Sequence, residues 1–143
     1  MQKIDYIKQW EGFRGQPYDD ATGKKIKAPV GNVTIAYGIN TDSNPLSEED
    51  ATLLLVKQIE RIERQIRLTY TWYDMLTHNR QIAVLDMVYN MGLPTFQKFR
   101  KAIAALALGS WSVAAAEIKD SDYGRKNTSK ERCAANCNLI LNG

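Results

Sequence analysis

The chain has 143 residues, of which 44% are hydrophobic and 24% charged, so it can bury a core of its own and fits one compact domain or two small lobes. Nineteen Lys and Arg against 16 Asp and Glu give a net charge of +3, which suits an anionic polymer without selecting one. The longest apolar run, residues 102–108, is too short to span a membrane, and the N-terminal residues do not resemble a secretory signal. We therefore expect a protein made in the cytoplasm, with no stable membrane association.

The predicted elements begin with a short amphipathic helix. Ile4, Ile7 and Trp10 recur at helical spacing, with polar residues between them. This pattern predicts a helix that ends near Glu11, where Gly12 follows.

A β-rich segment and a long helix come next. Glycines and prolines punctuate residues 13–40, and residues 33–37 are rich in β-forming side chains, which predicts a small antiparallel sheet with turns. Ser47 is the predicted N-cap of a helix over about residues 47–68, with acidic residues in its first turn. A helix of this length can link two lobes.

Helical texture continues to the end of the chain after a break at residues 69–78. The apolar positions predict a helix over residues 82–91 closed by Gly92 and Pro94, one containing Phe96, Phe99, Ile103 and Leu106, one over 111–118 with Trp111 in the core, and one over 129–141. The aromatic residues of the break, Tyr70, Trp72 and Tyr73, are expected to pack under these helices rather than to bind sugar. The predicted class is α+β: a β lobe at about 13–45, the linking helix, and a helical lobe at about 74–143 together with the N-terminal helix.

The two cysteines, Cys133 and Cys137, lie four residues apart within the last predicted helix. Side chains at that spacing can touch, but a helical backbone gives poor disulfide geometry. We expect both thiols to be reduced and structural. The single histidine, His78, is far from them in sequence and is expected at the surface, so the chain offers no recognisable metal site.

The residues with the strongest catalytic character follow the first helix. Glu11 is expected at a helix C-terminus, where the negative end of the macrodipole favours a protonated carboxyl group, and Trp10 and Phe13 would add apolar surroundings. Asp20 lies in a polar turn and should stay ionised, and Thr34 offers a hydroxyl that can hold a water molecule. Two carboxyl groups in unlike environments suit glycosidic bond cleavage. The spacing alone is a weak signal, because such a pair is usually two solvated surface charges.

The order of these motifs resembles a known family, the phage-type lysozymes, which are the endolysin muramidases of glycoside hydrolase family 24. Their pattern is Glu-Gly after a short helix, eight residues between that Glu and an Asp, and then a strand similar to Thr-Ile-Gly-Tyr-Gly. Glu11, Asp20 and Thr34 fill these places. Asp19 is an alternative to Asp20, but the family's Tyr-x-Asp pattern, met by Tyr18-Asp19-Asp20, favours Asp20.

The likeness extends over nearly the whole chain. Residues 80–92 resemble the family's central helix along the cleft, and residues 99–101 and 109–116 match its helical-lobe pattern. The resemblance implies a lysozyme-like fold in which a small antiparallel β lobe and a mainly helical lobe are joined by a long helix, with the active-site cleft between them.

The resemblance also implies the chemistry. It makes Glu11 the general acid, Asp20 the base or charge stabiliser and Thr34 the residue that positions water, with Tyr89, Asn90 and Arg132 as substrate-binding residues. Arg132 matches a basic residue that pairs with the catalytic glutamate. The implied activity is hydrolysis of the β-1,4 bonds between N-acetylmuramic acid and N-acetylglucosamine in peptidoglycan, without metal or cofactor. The implied protein is a monomer with no nucleic-acid partner, which waits in the host cytoplasm until a holin opens the inner membrane.

Several positions depart from the family pattern. Thirteen residues separate Asp20 from Thr34, where shorter members have five, and this insertion of residues 21–33 contains Lys24, Lys25 and Lys27. These lysines suit either a patch for anionic wall polymers or a solvated hairpin tip. Ala36 stands where Gly is usual, and the family's C-terminal arginine pair is reduced to one arginine followed by cysteine.

Two alternative functions stay open at this point. A lytic transglycosylase needs the acid but not the second carboxylate, so the presence of both Asp20 and Thr34 argues against it. A catalytically inactive peptidoglycan-binding domain is supported only by Ala36 and the long insertion.

Overall fold

The computed structural model of the chain describes residues 1–19, 22, 24–26, 33–127 and 130–143. They form two compact units, one made of Met1–Trp10 with Gln58–Gly143 and the other of Glu11–Lys57. Helices dominate and are accompanied by a small two-stranded antiparallel sheet, which confirms the α+β class. Within the described ranges, no helix has both the length and the apolarity that crossing a membrane requires.

The sheet of the unit Glu11–Lys57 is a short hairpin. Strands β1 (Thr34–Ile35) and β2 (Ile39–Asn40) pair antiparallel, with Thr34 opposite Asn40. The ladder extends by one hydrogen bond, from the backbone N–H of Thr41 to the carbonyl of Val33 at 2.9 Å. The side chain of Thr41 is buried and its hydroxyl donates to the same carbonyl, which anchors the base of the hairpin.

A second antiparallel contact lies earlier in this unit. Tyr18 and Lys25 form an isolated bridge, flanked by hydrogen bonds from Asp19 N–H to the Lys24 carbonyl (2.8 Å) and from Ile26 N–H to the Pro17 carbonyl (3.1 Å). Lys24 and Lys25 therefore lie on the returning arm of a hairpin, and both readings of the lysine segment stay predictions. Lys25 also forms an ion pair with Asp42 at 3.7 Å. Lys27 lies outside the described residues.

Helix α2 extends over Glu48–Thr69, close to the predicted bounds. Ser47 caps it as predicted: its hydroxyl oxygen accepts a hydrogen bond from the Asp50 N–H at 3.0 Å and donates to the Asp50 carboxylate at 2.7 Å. The acidic side chains of the first turn face the positive end of the helix dipole. Ile59 and Ile66 form its buried stripe.

The unit Met1–Trp10 with Gln58–Gly143 is helical. Its helices are α1 (Lys3–Glu11, whose last residue belongs to the other unit), the C-terminal part of α2, α3 (His78–Met91), α4 (Leu93–Phe96), α5 (Arg100–Ala107), α6 (Trp111–Lys119) and α7 (Lys130–Asn142). A 3₁₀ turn at Tyr73–Met75 and a π-helical turn at Tyr123–Asn127 complete it. Helix α7 packs against α3 and α6, and α6 packs against α5. The core is centred on α3, whose residues 82–88 are all buried.

The prediction of one helix that contains both Phe96 and Phe99 is wrong. Helix α4 ends at Phe96, and Phe99 has a non-helical backbone (ψ 53°) as the residue before α5. Pro94 opens the short α4, and the chain turns again before it can continue. The two rings remain stacked with centroids 6.3 Å apart, so the shared apolar face is correct although the element is not.

The prediction that Trp111 lies in the core is also wrong, because its side chain is half-buried. Its ring lies under the guanidinium of Arg80, 4.0 Å from the ring centroid. His78 lies at the surface as expected, and its Nε2 is 2.9 Å from the Met1 carbonyl oxygen.

The expectation that aromatic residues pack under the helices is confirmed for Tyr73, which is fully buried. Its hydroxyl donates to Glu63 at 2.8 Å, and Lys3 pairs with the same carboxylate oxygen at 2.6 Å. This network joins α1, α2 and the 3₁₀ turn. Both cysteines are free and buried, as predicted, and the Cys137 thiol donates to the Ala115 carbonyl at 3.5 Å.

Candidate active site

Glu11, the predicted acid, is the last residue of α1, so its expected place at a helix C-terminus is confirmed. Its expected apolar surroundings are not. The Glu11 side chain is exposed, Phe13 is 48% exposed, and Trp10 is half-buried. The segment after α1 is irregular up to the bridge at Tyr18, and its few residues bury little apolar surface.

Thr34 lies on β1 with an exposed side chain. Its backbone position is set by pairing with Asn40 on β2. Asn40 in turn accepts hydrogen bonds at its Oδ1 from the N–H groups of Asp42 (3.0 Å) and Ser43 (3.3 Å), which stabilise the turn after β2.

Asp20 lies outside the described residues, whereas Asp19 is described. The Asp19 carboxylate accepts a hydrogen bond from the Thr22 hydroxyl at 2.9 Å. The backbone N–H of Asp19 donates to the Lys24 carbonyl at 2.8 Å. Asp19 therefore has a structural role in its own turn.

An open cavity of about 1150 Å³ lies within the helical unit. Its lining includes Trp10, Asn90, Tyr123 and Arg132, the cationic side chains of Lys98, Arg100 and Lys101, and the acidic side chains of Glu117, Asp120 and Asp122. Two of the predicted substrate-binding residues are thus brought to one cavity. The third, Tyr89, precedes Asn90 in the last turn of α3 and is half-buried. An aromatic ring among many hydrogen-bonding groups suits a polar ligand.

Arg132 is held by a buried carboxylate that the sequence interpretation missed. Its Nε and Nη2 donate to the two oxygens of Asp86 at 3.0 and 2.7 Å. Asn136 Nδ2 donates to Asp86 Oδ2 at 2.8 Å. A signal was present in the sequence: Asp86 is a charged residue inside the apolar run 82–88, and a buried charge requires a partner.

Two tyrosines complete this network. The Tyr6 hydroxyl donates to Asn136 Oδ1 at 2.7 Å, and Asn136 Nδ2 donates to the Tyr123 hydroxyl oxygen at 3.0 Å. Burial, and secondarily the negative charge of Asp86, raises the pKa of Tyr6 to about 12 and raises that of Tyr123 as well. Both phenols therefore remain protonated at neutral pH.

The predicted site residues are divided between the two units. Glu11 and Thr34 belong to Glu11–Lys57, and Tyr89, Asn90 and Arg132 belong to the helical unit. Across the part of the chain that the structure describes, no three His, Cys, Asp or Glu side chains are grouped as ligands for a metal ion.

The sequence profile of phage lysozyme matches residues 8–133, which is most of the chain. The chain belongs to the phage lysozyme family. A curated relative from Dictyostelium discoideum, named probable T4-type lysozyme 2, is 27% identical over 141 residues, covering 83% of this chain and 82% of the relative. Membership confirms the resemblance and supports a muramidase-like glycosidase with peptidoglycan as substrate.

The phage lysozyme match includes every predicted site position, from Glu11 to Arg132. It tests the family and not the individual roles. The assignments of Glu11, Asp20, Thr34, Tyr89, Asn90 and Arg132 stay predictions.

Proposed function

We propose that the protein is an endolysin muramidase that hydrolyses the β-1,4 bonds between N-acetylmuramic acid and N-acetylglucosamine in peptidoglycan. One observation carries the proposal: the family match over residues 8–133 contains a Glu, an Asp and a Thr in the family's order. The cavity lined by Trp10, Asn90 and Arg132 supports it, because a polar polymer needs hydrogen-bonding groups and an aromatic surface.

In the proposed mechanism Glu11 protonates the oxygen of the leaving sugar as the glycosidic bond breaks. Asp20 accepts a proton from the attacking water, or stabilises the positive charge that develops on the anomeric carbon. The Thr34 hydroxyl orients that water. If water attacks from the face opposite the leaving group, the product has inverted anomeric configuration.

The choice of Asp20 over Asp19 gains support from the turn that contains them. The Asp19 carboxylate accepts a hydrogen bond from Thr22 and lies in a hairpin stabilised by its own backbone. A carboxylate with that structural role is a poor candidate for a mobile proton acceptor. Asp19→Asn should therefore retain most of the activity that Asp20→Asn loses.

The proposal is tested by digesting purified peptidoglycan with the wild type, Glu11→Gln, Asp20→Asn and the matched control Asp19→Asn. Mass spectrometry of the products separates the chemistries: hydrolysis gives reducing ends, and transglycosylation gives anhydro ends lighter by one water. We expect reducing ends from the wild type and a loss of about 100-fold or more for Glu11→Gln. Wild-type rates for Glu11→Gln contradict the catalytic assignment, and sacculus binding without any cleavage identifies an inactive binding domain.

We propose further that the enzyme serves host lysis and waits in the host cytoplasm until a holin opens the inner membrane. The description of the family as phage lysozyme supports this role. Expression in a bacterium with and without a holin tests it. Rapid lysis that requires both proteins is expected, and lysis by the enzyme alone contradicts the dependence on a holin.

A further inference from the structure

Helix α3 has a buried carboxylate in its interior. Asp86 is 0% exposed and lies between buried apolar neighbours on both sides. A buried charge is tolerated only when it is paired and its remaining lone pairs are satisfied. The structure meets both conditions through α7, which packs against α3.

The pairing with Arg132 fixes the plane of the guanidinium as well as its distance from the Asp86 carboxylate. Two N–H groups of one guanidinium donate to the two oxygens of Asp86, so the guanidinium cannot rotate about its own axis without breaking a hydrogen bond. The Arg132 side chain is 5% exposed, which limits its alternative rotamers. Asn136, one turn further along α7, donates to the same carboxylate and restrains it from a second direction.

The network reaches from the core to the cavity. Tyr6 on α1 and Tyr123 in the π-helical turn both hydrogen-bond to Asn136, and Tyr123 and Arg132 line the cavity. A buried ion pair gives little net stability compared with well-packed apolar side chains, so stability alone is a weak reason for it. A fixed guanidinium at the cavity wall is what the arrangement provides.

We infer that Asp86 is a positioning residue, which acts by fixing the Arg132 guanidinium at the cavity wall in the orientation that the reaction requires. This inference rests on the proposed function, in which Arg132 belongs to the site. Asp86 itself touches no substrate. Its effect on the rate passes entirely through Arg132, and this distinguishes it from a residue that only supports the fold.

The test compares Asp86→Asn, Arg132→Gln and the double variant Asp86→Asn/Arg132→Gln. Each single variant removes one charge of the buried Asp86–Arg132 pair and keeps the other, whereas the double variant has two neutral amides that can hydrogen-bond to each other and to Asn136. Melting temperatures and the kcat and KM for soluble peptidoglycan strands are measured well below the lowest melting temperature. Glu63→Gln is the matched control, because it removes a carboxylate from the Lys3 ion pair in the same unit.

We expect both single variants to melt lower and to lose about tenfold or more in kcat, with KM changed less than about threefold. The double variant should regain much of the melting temperature while its kcat stays at the Arg132→Gln level. Glu63→Gln should melt lower with nearly unchanged kcat. Arg132→Lys keeps the positive charge but cannot donate two hydrogen bonds in the guanidinium geometry, so it should fold and still lose about tenfold in kcat. This variant tests the inference if Asp86→Asn does not fold.

Recovery of kcat together with melting temperature in the double variant overturns the inference, because the network would then be structural only. Unchanged kcat in Asp86→Asn or in Arg132→Lys overturns it as well. If the wild type releases no reducing ends, the proposed function fails and the inference falls with it. If the wild type is active and the double variant recovers kcat, the inference about Asp86 fails while the proposed function stands.

Discussion

Ala36 has a backbone conformation that side chains rarely adopt. Its φ of 48° is in the left-handed region, at the start of the turn between β1 and β2, and it stands where the family usually has Gly. A Cβ atom in this region costs about 1 kcal/mol. Ala36 therefore strains the backbone of this turn. The strain lies two residues from Thr34, so it bears directly on the strand that presents the candidate hydroxyl.

Ala36→Gly should stabilise the hairpin by about 1 kcal/mol. Hydrogen exchange of the Thr41 amide reports this locally, because that N–H donates to Val33 at the base of the hairpin. Slower exchange is expected in Ala36→Gly and faster exchange in Ala36→Val, whose branched side chain tolerates the conformation less well. Equal exchange in all three proteins would show that the turn is not strained.

Tyr6 makes stability depend on alkaline pH. Its pKa is raised to about 12 in the folded protein from an ordinary value of about 10, so the folded state holds this proton more tightly than the unfolded state. Its contribution is fully present below about pH 10 and is lost as the pH rises towards 12. The loss is on the order of 2 kcal/mol.

Tyr6→Phe should remove this part of the pH dependence. Urea unfolding at about pH 9 and about pH 12 should show a smaller difference between the two conditions in the variant than in the wild type, although the variant is less stable at the lower pH because Asn136 loses a hydrogen bond. The same pH dependence in both proteins would contradict the role of Tyr6.

At the scale of elements, the ends of helices were predicted correctly where a nearby residue in the sequence determines them. Ser47 caps α2 where the sequence places a cap, and α1 ends at Glu11. The break between Phe96 and Phe99 was missed because both residues fit one apolar face, and periodicity cannot show where a chain bends between two turns of helix. The partnership of Asp86 with Arg132 was missed for a different reason: it joins residues 46 apart, and no local pattern reports such a contact.

Gly92 connects α3 to α4 with φ 79° and ψ 150°, a region that is essentially restricted to glycine. Its N–H still donates to the Val88 carbonyl at 2.8 Å, so this conformation both closes α3 and redirects the chain. Gly92→Ala should destabilise the protein by about 1–3 kcal/mol, even though an added Cβ would meet only Pro94 at 3.8 Å.

Thermal unfolding of Gly92→Ala measures this cost. Asn90→Ala, near the end of the same helix but with ordinary helical geometry, is the matched control and should change the melting temperature much less. Similar losses in both variants would indicate a general effect of substitution in this region rather than backbone strain.

For the whole molecule, the net charge of +3 conceals an uneven distribution. The unit Glu11–Lys57 has five Lys and Arg against seven Asp and Glu, a formal charge of −2, and the remaining 14 basic and nine acidic residues give the helical unit +5. Attraction to an anionic wall should therefore come from the helical unit, where Lys98, Arg100 and Lys101 line the cavity.

Lys98→Glu/Lys101→Glu and Lys24→Glu/Lys57→Glu change the net charge equally, but on different units. Binding to purified sacculi at low ionic strength should weaken far more in the first variant, and the difference should shrink as salt screens exposed charges. Equal weakening would mean that only the total charge matters. A wild type that binds equally at all salt concentrations would remove the electrostatic explanation altogether.

The fold class and the family were accessible from sequence because they depend on the order of motifs along the chain, and Glu11, Thr34 and Arg132 lie in that order. The charge contrast between the two units could not be predicted from sequence, because it depends on which segments fold together. Residues 1–10 share a unit with residues from 58 onward, and their sequence position next to the β-rich segment gives no sign of it.

The hydrogen bond between Tyr6 and Asn136 has a consequence for synthesis. It joins residues 130 apart, whereas the hairpin contacts among Val33, Thr41 and Asp42 lie within nine residues of one another. Short loops close early and long ones late, so a chain leaving the ribosome can form the hairpin before Asn136, the partner of Tyr6, has been synthesised. The hydrogen bonds of Asn136 to Tyr6, Asp86 and Tyr123 therefore form only after nearly the whole chain has been translated.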